Sequence, residues 1–263
     1  MTRLIRTELL KLRTIRLTYG LLATVAALTA LFATLEASRA GTAGTGVAPI
    51  STASGLSTVT TVTGFAMLIA AVLGAIVASG EFRHASATLT YQATPHRERV
   101  LAAKVSVSAA VGAFFGLLAG VIATGVGLLF ASGDGTHFAL STATLLGHIG
   151  GAICGAAALA ALGAALGSLV RSQLAAVIGI FVWGIVIESL IGGLFTSVRA
   201  YLPYTAATTL AGAKLGNAAF GPAHGEAGSA GPLPFIAALA LLAALAVAVS
   251  VLAARTTVKR DIA

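Results

Sequence analysis

The chain has 263 residues, of which 57% are hydrophobic and only 9% charged, and its mean hydropathy is +0.98. A water-soluble domain needs far more charge to cover its surface, so these proportions exclude that class. They predict an all-α polytopic membrane protein, one transmembrane domain over 1–263. The formal net charge of +8 does not make nucleic acid a partner, because the basic residues sit in short segments beside apolar runs and no soluble unit remains to read a groove.

The opening TRLIRTELLKLRTIR reads as an amphipathic helix. At 100° per residue Leu4, Ile5, Leu9, Leu12 and Ile15 share one face, while Arg3, Arg6, Lys11 and Arg13 occupy the other; Glu8 and Arg16 interrupt the apolar stripe. Such a helix lies in the headgroup layer with its cations on anionic membrane lipid. Six apolar runs follow, at about 17–35, 59–79, 105–131, 145–170, 174–195 and 233–254, each long enough to cross a hydrocarbon core of roughly 30 Å as a helix. Ser38-Arg39-Ala40 resembles a signal-peptidase site, but the run before it exceeds the usual signal-peptide core and is read as a span.

Lys and Arg distribute unequally over the connections. One side receives Arg3, Arg6, Lys11, Arg13 and Arg16, then Arg83, Arg97, Arg99 and Lys104, then Arg171, and finally Arg255, Lys259 and Arg260. The other receives only Arg39, Arg199 and Lys214. The positive-inside rule therefore predicts that both termini are cytoplasmic. Heavy use of Ala and Gly, with Arg favoured over Lys, points to a GC-rich bacterial genome and so to the bacterial cytoplasmic membrane.

Between spans two and three lies GEFRHASATLTYQATPHRERVLAAK, Gly80 to Lys104. Ala85 to Ala93 can form a short helix, and Thr94-Pro95 is a restart signal, with Thr as N-cap and Pro at the first helical position. A helix carrying Arg97, Arg99 and Lys104 then runs into span three. Such a segment either sets topology as a basic loop or projects rigidly to dock a partner. Gly112, Gly116 and Gly120, and then Gly147, Gly151, Gly155, Gly163 and Gly167, recur at spacings that let helix backbones approach.

Sites of chemistry are sparse. No phosphate-binding Gly-Lys-Ser/Thr loop, His-Glu-x-x-His or Gly-x-Ser-x-Gly pattern occurs, and the histidines lack metal-ligand spacing. Cys154 is the only cysteine, which excludes an intrachain disulfide. Glu188 is the one acidic residue inside a span, and it serves either a substrate path or a hydrogen-bonded interhelical contact. After it, Tyr201–Gly216 contains a helix-compatible run beginning at Pro203.

Gly80-Glu81-Phe82-Arg83-His84, with Thr88, Thr94-Pro95, Arg97, Arg99 and Lys104, resembles the permease subunits of ATP-binding-cassette exporters of the ABC-2 type. The basic N-terminus, Glu188 and Tyr201-Leu202-Pro203 share in that resemblance, and Ala85-Ser86-Ala87 departs from it, since the family often has Gly-Thr there. The resemblance implies half of a dimeric translocation unit, a homo- or heterodimer with a second permease subunit. It also implies a cytoplasmic ATPase partner that carries ATP and Mg²⁺, while this chain is noncatalytic and binds no cofactor or metal. A coupling helix within roughly 82–93 would then contact the ATPase, through Glu81, Phe82, Arg83, His84, Thr88, Leu89 and Tyr91. Thr94, Pro95, Arg97, Arg99 and Lys104 would support that loop, and the N-terminal helix would be the interface helix. The alternatives are a proton-coupled secondary transporter using Glu188 and a membrane scaffold without transport.

Overall fold

A computed structural model describes residues 2–83, 97–133, 139–170, 172–213 and 232–256. Its helices are α1 (Thr2–Thr14), α2 (Arg16–Arg39), α3 (Ala53–Thr60), α4 (Gly64–Arg83), α5 (Arg97–Gly133), α6 (Thr142–Val170), α7 (Gln173–Phe181), α8 (Glu188–Leu194), α9 (Pro203–Leu210) and α10 (Phe235–Thr256). A π-helical turn at Val182–Ile187 joins α7 to α8. No strand occurs among the described residues. Among the described residues six segments are long and apolar enough to cross a membrane. The protein is a multi-pass, all-α membrane protein.

Span two differs from its expected form. Instead of one helix from residue 59, α3 begins at Ala53, where Thr52 caps it by accepting from the Gly55 N–H at 3.1 Å. The chain then breaks at 61–63 before α4. The break residues are β-branched, and the Thr61 hydroxyl competes with the helical ladder by donating back to the Ser57 carbonyl at 2.8 Å. The helix expected to run from the basic segment into span three is present. α5 runs without interruption for 37 residues, about 55 Å at the α-helical rise, so it outreaches the hydrocarbon core.

The sixth helix is the hub. It packs on α5, α4, α10, α9 and α7, and three of its contacts are made by residues without side-chain bulk. Gly112 and Gly116 of α5 lie against the α6 backbone at Ala156 and Ala152. Gly163 and Gly167 of α6 lie against the α4 carbonyls of Ala71 and Ala75, and Gly151 and Gly155 against the α9 carbonyls of Leu210 and Ala207. The sequence spacing thus sorts into separate seams, each of which lets backbones meet and gain dispersion contact where lipid offers no hydrophobic drive. Gly147 faces open space and belongs to none of them. Phe32 of α2 stacks on Phe65 of α4 with ring centroids 4.8 Å apart, which ties the first span to this core.

Candidate functional site

Glu188 opens α8 and is 3% exposed. Fifteen residues beyond the start of α7, it lies about 22 Å along the fifth span, toward the end of the bundle remote from α1. Each carboxylate oxygen accepts two hydrogen bonds. Oε1 receives the Trp183 indole N–H at 2.9 Å and the Tyr204 backbone N–H at 2.8 Å. Oε2 receives the Thr205 backbone N–H at 2.9 Å and the Thr205 hydroxyl at 3.1 Å.

The reason for this convergence lies in α9. Its N-cap residue is Leu202, whose side chain can accept nothing. The Leu202 N–H goes to the Arg199 carbonyl at 3.2 Å, and Pro203 has no N–H to satisfy. The donors of Tyr204 and Thr205 remain, the pair that an N-cap side chain ordinarily serves. Glu188 supplies that cap from another helix, and its carboxylate suits the positive end of the α9 dipole. Buried at membrane depth, those two N–H groups have no water to fall back on.

The π turn aims the carboxylate. Its Glu188 N–H donates to the Trp183 carbonyl, five residues back, while the Trp183 indole donates forward to the Glu188 side chain. Tyr204, fixed by its own N–H, reaches α4, where a Cβ on Gly64 would stand 2.5 Å from the phenol oxygen. Glu188, Trp183, Thr205 and Tyr204 therefore weld span five, α9 and span two into one unit.

A second polar cluster sits at the other end, where α1 meets α5. Glu8 is 6% and Lys104 3% exposed. Lys104 Nζ lies 3.4 Å from Glu8 Oε2, and Lys11 Nζ lies 2.7 Å from Glu8 Oε1. Of the apolar residues of α1, Ile5 and Leu12 pack against the core, while Leu9 and Ile15 are exposed. The inward stripe is Ile5, Glu8 and Leu12, because Glu8 is drawn to Lys104 while Leu12 enters the core.

The remaining predicted positions divide as follows. Arg3 lies within α1, where Arg6 and Arg13 are exposed. Glu81, Phe82 and Arg83 form the last residues of α4, Arg97 begins α5, and Arg99 is exposed on its first turn. His84, Thr88, Leu89, Tyr91, Thr94 and Pro95 lie outside the described residues, with all but the start of the expected coupling helix. Among the described residues no cluster of His, Cys, Asp or Glu could hold a metal.

No protein-family model matches this sequence, and no curated protein matches it. Its function is therefore argued from its own residues. Several of those that matter gave little signal in the sequence. Trp183 and Thr205 looked like ordinary span and interface residues. The His148 Nδ1 shares a hydrogen bond with the Thr60 hydroxyl, 2.8 Å away, and so joins α6 to α3. The signal that existed was negative: a Pro-initiated helix without its own cap, and a lone acid within reach in the preceding span.

Proposed function

We propose that the chain is the noncatalytic membrane-spanning subunit of an ATP-driven exporter, working in the bacterial cytoplasmic membrane with both termini cytoplasmic. A separate ATPase subunit binds ATP and Mg²⁺ and pushes on the segment between α4 and α5, and a second permease subunit completes the path. The buried Glu8–Lys104 pair is the observation that carries this reading. It fastens the amphipathic α1 to the root of α5, the helix into which the Gly80–Lys104 segment leads. Force applied to that segment would therefore move α1 and α5 together, and α5 would pass it to the glycine seam on α6. An ATP-dependent bias of about 5.5 kcal/mol suffices to invert a two-state packing equilibrium from 1:99 to 99:1.

The direct check co-expresses the full chain with the cytoplasmic ATPase subunit proposed as its partner. Replacing residues 82–93 by a Gly/Ser linker is expected to abolish co-purification while the membrane domain still elutes as a folded species. An ATPase that stays bound would refute this docking assignment.

The α1 lock has its own test. Lys104→Met removes one cation from the buried Glu8 carboxylate, leaving Lys11 among its described partners, and is expected to cost about 2–4 kcal/mol, near the range for breaking a buried pair. The Glu8→Leu/Lys104→Met double variant should lose less than the two single losses combined, a coupling measurable in thermal melts. Strictly additive losses would mean that the two charges act independently.

A further inference from the structure

Spans five and six leave a slot between them. α10 takes its main contacts from α6 and α9, whereas α7 leans on α4. The space so left is a cavity of about 370 Å³ floored by α6. Its α6 wall runs from Leu159 to Val170, a length of roughly 16 Å parallel to the helix axis. Gly179 and Ala175 keep the α7 side low, and Leu245 and Val249 of α10 face them across the gap. Val170 and Trp183 line the cavity and are also exposed, so its mouth opens on the outer surface of the bundle, where the bilayer lies.

We infer that this slot is a binding site for one alkyl chain of a bilayer lipid, lying along the spans with its end toward the Trp183–Glu188 node. Three observations select that occupant. The first is size: an apolar cavity of about 150 Å³ holds a benzene ring, so one of this volume takes on the order of 15 carbon atoms. Shape is the second, because a slot of this volume about 16 Å long is too narrow to take in a helix 10–12 Å across. A second copy of this chain could lay a helix over the mouth but would leave the slot itself unfilled. The third is chemistry. Both oxygens of Glu188, the only ionisable carboxylate on the wall, are filled by four donors. The slot thus offers shape and dispersion contact rather than a charge for a polar headgroup. The inference stands on the cavity alone and does not depend on ATP-driven export.

Gly179 provides the test, since a Cβ there meets nothing within 4 Å and a large side chain can enter the slot. The full chain is reconstituted in nanodiscs containing a phosphatidylcholine with a photoactivatable diazirine in its acyl chain, then irradiated and mapped by peptide mass spectrometry. In the wild type, label should concentrate on peptides of α6, α7 and α10 that line the slot. Gly179→Trp and, from the opposite wall, Leu245→Trp should each lose that label. Gly125→Trp, at an exposed α5 site that also meets nothing within 4 Å, should keep it. Size-exclusion elution confirms that each variant is folded. Label spread evenly over all outward faces, or unchanged in both slot variants, would overturn the inference. So would Gly179→Cys crosslinking between two copies in place of lipid labelling.

Discussion

Glu188→Ala should unfold the α9 region first and lower the stability of the whole bundle by about 3–5 kcal/mol. The substitution takes the acceptor from four donors at once: the Tyr204 and Thr205 amides, the Thr205 hydroxyl and the Trp183 indole. Hydrogen bonds to a charged acceptor contribute about 1.5–3 kcal/mol each, and their losses are not additive when the same segment relaxes. In a thermal melt this corresponds to a shift on the order of 10 °C, readable through the dye reactivity of Cys154, which is half-buried in α6. Glu188→Gln keeps one accepting oxygen but turns an amide NH₂ toward two donors, so its loss should fall between wild type and Ala. Hydrogen exchange at Tyr204 and Thr205 should accelerate in the same order. If Glu188→Gln abolished transport with melting and exchange unchanged, the carboxylate would act on a proton or substrate, and the cap would not be its main role.

Gly163→Ala should be nearly as damaging despite adding a single methyl group. The new Cβ would overlap the Ala71 carbonyl oxygen of α4, a backbone atom that cannot swing aside as a side chain can. The two helices would have to separate along the seam shared with Gly167 and Ala75. Overpacking of this kind costs about 1–3 kcal/mol in a tolerant core, and the upper end is expected here because α4 and α6 are the most buried spans. Gly150→Ala is the matched control on the same helix, since its Cβ meets nothing within 4 Å. It should be neutral or slightly stabilising, as Ala is the better helix former by about 1 kcal/mol. Equal melting of the two variants would show that the seam is looser than the backbone distances imply.

The spans were legible because lipid imposes length and apolarity on each of them separately, and their ends shifted only by a few residues, apart from span two. The helix after Pro203 was legible too, from proline chemistry. What connects these elements was not. Glu8 and Lys104 are 96 residues apart, and helical periodicity carries no record of a partner at that distance. Glu8 therefore looked like a flaw in an apolar stripe when it is the centre of the buried one. Glu188 was visible as an oddity, but its task is defined by backbone amides 16 and 17 residues further on, and backbone amides have no sequence signature. The break at 61–63 failed for a related reason, since apolar content carries on through it while hydrogen bonding does not.

The π turn at Val182–Ile187 bears on how kin of this chain are to be recognised. Closing on the fifth residue back instead of the fourth amounts to one residue more than an α-helix would hold. A relative built without that extra residue would carry its capping acid one position nearer the counterpart of Trp183. Aligned column by column from Trp183 without a gap, that acid would stand opposite Ile187 and Glu188 opposite the counterpart of Ser189, and two chains sharing the same cap would look as though only one possessed it.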